Sequence, residues 1–288
     1  RIRGLTEFCG EMPTAAQNDE ILKPGDGQIK VLFNIGGNPI VAFPNQHKTV
    51  RAMDALELLV CIDVKMSATA MMADYILPGK ICLERDDAPV MADTWFDVPY
   101  THYAEAIVEP NGDLIEEWEF YWELAHRLGI ELTLGGSILP MDAAFGVATG
   151  GQIPMDHKPT KFEVLTLVTS GTKVPLEEIR AKKGGFVFDS IECVVEKGNS
   201  TAKLQLTPPG IADEIREIRG ERLSASGIPE KDGDYTHLLT SRRLNHVYNS
   251  SGQQFDAVKE KGTTNCAYMH PDDLLALAVK SGDLIQIS

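Results

Sequence analysis

The chain has 288 residues, 43% hydrophobic and 24% charged, the balance of a globular protein with apolar material for one large core or two modest ones. Acidic residues outnumber basic ones by 42 to 27, a formal charge of −15. No stretch gathers Lys and Arg with interleaved aromatics, which excludes a nucleic-acid groove, and no apolar run approaches the roughly 20 residues of a membrane-spanning helix. An anionic ligand would have to be gripped by backbone N–H groups and a few placed Arg, because the overall field opposes it.

The sequence opens at Arg1 without a Met and stops at Ser288, directly after the strand-like Leu284 to Ile287, so both ends are expected to be cuts through a longer polypeptide, with any export signal upstream. Ile29 to Phe33 lies in an apolar run that enters Gly36-Gly37-Asn38-Pro39, the pattern of a strand buried on both faces and ended by a permissive loop. Thr49 to Leu56 reads as helix, Leu58 to Ile62 as a second buried strand stopping at Asp63, Ser67 to Asp74 as helix, and Tyr75 to Leu77 as a short third strand closed by Pro78. This alternation predicts an α/β fold with a doubly wound, mostly parallel sheet, whose ligands sit beyond the carboxyl ends of the strands.

Residues Glu84 to Glu109 are irregular. Glu116 to Leu128 then sets Trp118, Tyr121, Trp122, Ala125 and Leu128 at helical spacing before Gly129, a stripe read as core. Thr133 to Gly227 shows no strong period and reads as connection. Beyond Gly233 come β-like pieces at YTHLLTSRR and NCAYMHP, a helix with His270 before it and Pro271 in its first turn, and LIQIS, which together predict the incomplete start of a β-barrel. The expected divisions are an α/β domain over 1–130, an irregular connection over 131–227 and a partial barrel over 228–288.

Cys9, Cys61, Cys82, Cys193 and Cys266 are scattered with no C-x-x-C pair, so neither a zinc site nor an iron–sulfur cluster is encoded. Cys61 and Cys82 lie in apolar stretches and read as packed small residues. Asp86-Asp87 and Glu116-Glu117 read as solvated faces, and no nucleophile with its base is apparent.

Gly36 and Gly37 let the backbone approach a ligand closely and turn N–H groups toward a phosphate, though a tight turn uses the same residues. Asp63, ending a strand, can accept paired hydrogen bonds from a ribose or from the N1 and N2 edge of a guanine, while Ser67 and Thr69 can cap the next helix while donating hydroxyls. A nicotinamide dinucleotide fold would also place an acid here, but the G-x-G-x-x-G it needs is missing. Arg242, Arg243, His246, Asn249 and Ser250 form a basic, polar cluster in an acidic chain, suited to clamp a pyrophosphate or to sit as a solvated turn.

In order, the segments VLFNIGGNPIVAFPN, LLVCIDVKMSATAMMADYILPGKICLER, EEWEFYWELAHRLG, LLTSRRLNHVYNSSG and AYMHPDDLLALAVKSGDLIQIS resemble the later part of molybdopterin oxidoreductases of the dimethyl-sulfoxide-reductase type. The resemblance implies that Gly36, Gly37, Asn38, Pro39, Asp63, Ser67 and Thr69 form the nucleotide end of a molybdopterin guanine dinucleotide site, with Asp63 on guanine. Ala73, Asp74 and Pro78 would be scaffold, and Arg242, Arg243, His246, Asn249 and Ser250 would contact the pterin and phosphates. It also implies a bis-molybdopterin guanine dinucleotide enzyme performing two-electron redox chemistry on a small substrate. The metal ligand and a 4Fe-4S cluster are expected in a preceding half, so the chain alone is expected to be inactive. Its expected partners are the remainder of its own polypeptide and electron-transfer subunits. The rival readings are an inactive scaffold subunit of an iron–sulfur electron-transfer complex and an NAD-dependent dehydrogenase with Asp63 on the ribose.

Overall fold

The computed structural model describes residues 12–89, 93, 96–134, 151–191, 201, 203, 206, 209–222, 237–249, 251–252, 254–261 and 266–287. The chain divides into two units, Arg1–Lys203 and Leu204–Ser288.

In the first unit, helix α1 (Thr14–Leu22) precedes strand β1 (Val31–Ile35), short helix α2 (Pro39–Ala42), helix α3 (Gln46–Asp54), strand β2 (Leu58–Asp63), a 3-10 turn at Ala70–Met72 and strand β3 (Tyr75–Pro78). The strands form one parallel sheet in the order β1-β2-β3, with Val31 opposite Leu58 and Val60 opposite Tyr75. The expected alternation is present. The described strand order contains no reversal, which a doubly wound sheet requires. Ser67 to Asp74, expected as helix, makes only the 3-10 turn, because the Ser67 and Thr69 side chains are drawn into local hydrogen bonds.

In the described sheet β2 is buried from Leu59 to Asp63; β1 and β3 are the outer strands and expose Val31, Ile35, Tyr75 and Ile76. The double-sided burial expected of the first strand therefore belongs to the second. A core of Ile21, Ile40, Ala52, Met53, Leu59, Cys61 and Ala70 packs α1, α2 and α3 against the sheet. The α1–α3 contact is partly polar, with buried Asn18 donating to Thr49 Oγ1 at 2.9 Å and an ion pair between Lys48 and Asp19.

Helix α4 (Glu117–Leu128) ends, as its sequence predicts, at Gly129 in the left-handed conformation, φ +65°. Its buried stripe is narrower than expected: Trp122 and Ala125 are buried, whereas Tyr121 and Leu128 are exposed. Phe120 meets Phe33 of β1 edge to face, with ring centroids 5.1 Å apart. Glu116 is 3% exposed, not a solvated face, and joins three segments: it accepts from Lys161 Nζ at 2.6 Å and Trp118 Nε1 at 3.1 Å, with Lys80 Nζ at 3.6 Å.

Glu119, in the first turn of α4, accepts from Lys158 Nζ at 2.5 Å and from the Glu116 N–H at 2.8 Å. Burial by itself would raise its carboxyl, but these two donors, helped by Lys80, outweigh that and hold it below the ordinary 4.5. A depressed carboxyl contributes stability that is complete above the ordinary value and lost as pH falls through the lowered one. Glu119→Gln is therefore expected to flatten the decline of urea-unfolding stability below about pH 4.5, a slope that should stay unchanged if Glu119 is not part of the acid response.

The stretch expected to be connective holds a second core. Helices Lys161–Val168 and Leu176–Ala181 pack around Tyr103, Leu165, Leu176, Ile179 and Phe188, flanked by the antiparallel pairs β4 (Tyr100–Thr101) with β7 (Phe186–Val187) and β5 (Thr133–Leu134) with β6 (Gly151–Gln152). Helices of eight and six residues are too short to display a helical period over an 11-residue window. Thr160 and Glu163 nevertheless form a capping box at the first of them.

The second unit contains helices Pro209–Gly220, Asp256–Lys259 and Pro271–Ala276, the last capped by His270, whose Nδ1 accepts from Asp272 N at 3.2 Å. The expected β-like pieces form no strand among the described residues; their single bridge joins Tyr248 and Ser251. A closed barrel is not present in them.

Cys61 is fully buried as expected, but Cys82 and Cys266 are exposed; Cys9 and Cys193 lie outside the described residues. Burial pushes the Cys61 thiol upward, opposed by the Asn34 hydrogen bond and assisted by the negative charge of Asp63. A maleimide is therefore expected to label Cys82 and Cys266 in the folded protein and Cys61 only after denaturation. Peptide mapping checks this, and equal labelling rates for all three would contradict it.

Candidate functional site

The parallel register brings the carboxyl ends of β1, β2 and β3 to one edge of the sheet, with Ile35 opposite Ile62 and Asp63 opposite Pro78. Two backbone bonds stitch the departing loops together: Gly36 N–H donates to the Ile62 carbonyl at 2.8 Å and Gly79 N–H to the Asp63 carbonyl at 3.2 Å. Gly36 is left-handed, φ +59°, a conformation that costs a glycine little and a branched residue much. Pro39 opens α2, where its missing N–H is no loss.

Side chains hold the loop to the segment after β2. Asn38 Oδ1 accepts from the Thr69 hydroxyl at 2.9 Å and from the Thr69 N–H at 3.2 Å, and Thr69 Oγ1 in turn accepts from Ile40 N–H at 3.2 Å. Thr69 has no exposed surface, so its hydroxyl serves the loop. Asp63, buried, accepts from Ser67 Oγ at 2.8 Å through one carboxylate oxygen and from Lys65 N–H at 3.3 Å through the other. Ser67 Oγ also accepts from Ala70 N–H at 3.2 Å, the capping role open to it in the sequence. An ionised carboxylate offers about four lone-pair sites, so Asp63 keeps acceptor capacity on both oxygens.

Gly36, Gly37, Asn38, Pro39, Asp63, Ser67 and Thr69 are thus assembled at one end of one sheet. The remaining sequence candidates belong to the second unit. There the Arg242 guanidinium lies over the Tyr268 ring, 4.3 Å from its centroid, and Arg243 is exposed. Asn249 is left-handed, φ 52°, and His246 Nε2 is buried without a partner among the described residues. Ser250 lies outside the described residues.

Asn34, missed in the sequence, belongs to the first group. It is the buried residue of β1, and its carboxamide donates to the Gly37 carbonyl at 2.8 Å and to Cys61 Sγ at 3.6 Å. The available signal was a carboxamide inside an apolar strand, since a buried amide is costly unless bonded.

The site fits an anionic nucleotide. Among the described residues, the Gly37 and Asn38 N–H groups have no protein acceptor, while Gly36 and Gly37 carry no side chain over them. Among the described residues, no group of three or more His, Cys, Asp and Glu is placed to hold a metal ion, and no helix is long and apolar enough to cross a membrane.

Ligands of open parallel α/β sheets bind beyond the carboxyl ends of the strands, the edge that here carries the glycine loop and Asp63. Residues 10–127 match the molybdopterin oxidoreductase family. The F420-dependent formate dehydrogenase subunit alpha of Methanocaldococcus jannaschii is 25% identical over 281 residues, 93% of this chain and 36% of that protein. The dimethyl sulfoxide/trimethylamine N-oxide reductase of Rhodobacter capsulatus is 29% identical over 288 residues, 90% of this chain and 32% of that protein. Among solved structures, acetylene hydratase from Pelobacter acetylenicus shares the fold with a TM-score of 0.57 at 19% identity, over 94% of this chain and 35% of that one. The chain thus spans about a third of the length of these relatives.

Proposed function

We propose that the loops beyond β1 and β2 hold the guanine nucleotide end of a molybdopterin guanine dinucleotide, and that the chain is part of a molybdenum-dependent oxidoreductase acting on a small substrate. The supporting observation is the placement of two N–H groups without protein acceptors, on Gly37 and Asn38, at the same sheet edge as the Asp63 carboxylate. In this reading the N–H groups meet a phosphate and Asp63 accepts from the N1 and N2 edge of guanine, while Ser67 and Thr69 shape the loops that present them. Arg242, Arg243, His246, Asn249 and Ser250 contact the pterin and phosphates, and the cofactor is the bis form.

When bound, the group supplies two-electron redox chemistry at its metal; this chain supplies grip and orientation. The metal ligand and a 4Fe-4S cluster belong to other parts of the polypeptide, and this stretch alone is inactive. The relative named as a subunit alpha supports a place beside other subunits, which in this reading are electron-transfer partners. The relatives are named as a dehydrogenase, a reductase and a hydratase, so the family leaves the substrate open.

Asp63→Ala in the full-length enzyme is the test. Losing a charge-assisted bond of about 1.5 to 3 kcal/mol weakens cofactor binding by about 10- to 150-fold. Acid extracts should lose guanine nucleotide and molybdenum together. Unchanged guanine and molybdenum content would reject the role, and saturable NAD(H) binding without guanine in the wild type would reject the reading.

A further inference from the structure

We propose that Asn34 is a positioning residue of the dinucleotide loop: its buried carboxamide pins the Gly37 carbonyl inward and thereby aims the Asn38 N–H outward at a phosphoryl oxygen. The inference rests on the nucleotide reading above and adds the residue that presets its phosphate donor.

Asn34 is 7% exposed in a strand whose other described side chains are partly or wholly exposed, so the one position where burial favours an apolar residue carries an amide instead. That amide is directed at the loop, donating to the Gly37 carbonyl at 2.8 Å. Among the described residues no peptide bond is cis, and in a trans peptide the C=O and the following N–H point in opposite directions. Fixing the Gly37 carbonyl on Asn34 consequently turns the Asn38 N–H away from the strand, where it has no acceptor among the described residues.

The other half of the loop is fixed independently. Asn38 Oδ1 is held by the Thr69 hydroxyl and N–H, and the fully buried Thr69 has its hydroxyl bonded on both its donor and acceptor sides. Gly37 is confined as well, because a Cβ there would come within 3.0 Å of Asn34 Oδ1. The Gly37–Asn38 peptide is therefore clamped from β1 and from the turn after β2. A donor aimed in advance spares a ligand the ordering cost that a mobile loop would impose.

The test uses the full-length holoenzyme and compares Asn34→Leu, which removes the donor at similar volume, with Cys61→Ala, which removes the other partner of the amide and leaves the Gly37 contact. Expected for Asn34→Leu are dissociation of the guanine dinucleotide faster by about tenfold and a displaced phosphorus-31 resonance of its bound diphosphate. Cys61→Ala is expected to lower thermal stability with that resonance unmoved. Should Asn34→Leu fail to fold, Gly37→Ala presses on the same contact from the loop side and is expected to displace the same resonance. A variant that folds, retains the dinucleotide at the wild-type rate and leaves the resonance in place would overturn the positioning role. Absence of guanine nucleotide from the wild-type enzyme would instead overturn the nucleotide reading.

Discussion

Replacing Glu116 by Ala is expected to destabilise the first unit by about 3 kcal/mol, toward the lower end of the range for removing one partner of a buried ion pair. The carboxylate is 3% exposed, and its loss leaves Lys161 and the Trp118 indole N–H without this acceptor and Lys80 with only the more distant Glu119, at 4.0 Å. The lysines retain some access to water, with side chains 19% and 21% exposed, which keeps the cost from the upper end of that range. Position matters as much as charge. Ile115, the preceding residue, donates to the Pro78 carbonyl and accepts from the Lys80 N–H, both at 2.9 Å, so the start of α4 is sewn to the end of β3. Urea unfolding of the variant measures the loss. A shift below about 1 kcal/mol, as for an exposed pair, would show that the cluster is solvated and not buried.

Trp122→Ala is the second large effect, expected at about 3 to 5 kcal/mol. The indole is buried, stacks on His126 with centroids 5.0 Å apart, and donates from Nε1 to the Pro154 carbonyl at 2.8 Å. Truncation opens a cavity under α4 and strips a carbonyl of its donor. Trp122→Phe separates the two contributions: it keeps most of the apolar area but not the hydrogen bond, so a loss of about 1 to 2 kcal/mol is expected. Thermal melting of the pair checks this, and equal losses for Ala and Phe would mean that the hydrogen bond, not the packing, holds the helix.

These two residues mark where the sequence reading succeeds and where it stops. The 3.6-residue spacing of its neighbours marks Trp122 as core, a local property that needs no knowledge of what packs against it. The same spacing overextended the buried face to Tyr121 and Leu128, because period alone does not say how wide a neighbouring surface is. In sequence Glu116 reads as solvated for the ordinary reason that acidic residues are mostly exposed. Its partner Lys161 lies 45 positions away on a helix whose eight residues gave no periodic signal. Cys82 failed in the opposite sense: an apolar neighbourhood in sequence proved to be an exposed one in space.

In the candidate site the division is similar. The glycine loop and the strand-terminal Asp63 were legible because turn chemistry and strand endings are written in consecutive residues. Asn34 was not, since its role depends on Gly37 folding back onto it and on Cys61, which stands 27 positions away on the adjacent strand.

Taken by itself, the amino-acid order determined the alternation of strand and helix, the loop that needs glycine, the acid that follows β2, and the end of α4 at Gly129. Tertiary structure decided which polar groups are buried, that β2 and not β1 is the enclosed strand, and that Thr69 and Asn38, 31 positions apart, share a hydrogen bond. The reason is physical. Backbone propensity and hydrophobic period act within a few residues, whereas burial and hydrogen-bond satisfaction are set by whichever segment arrives from elsewhere in the chain.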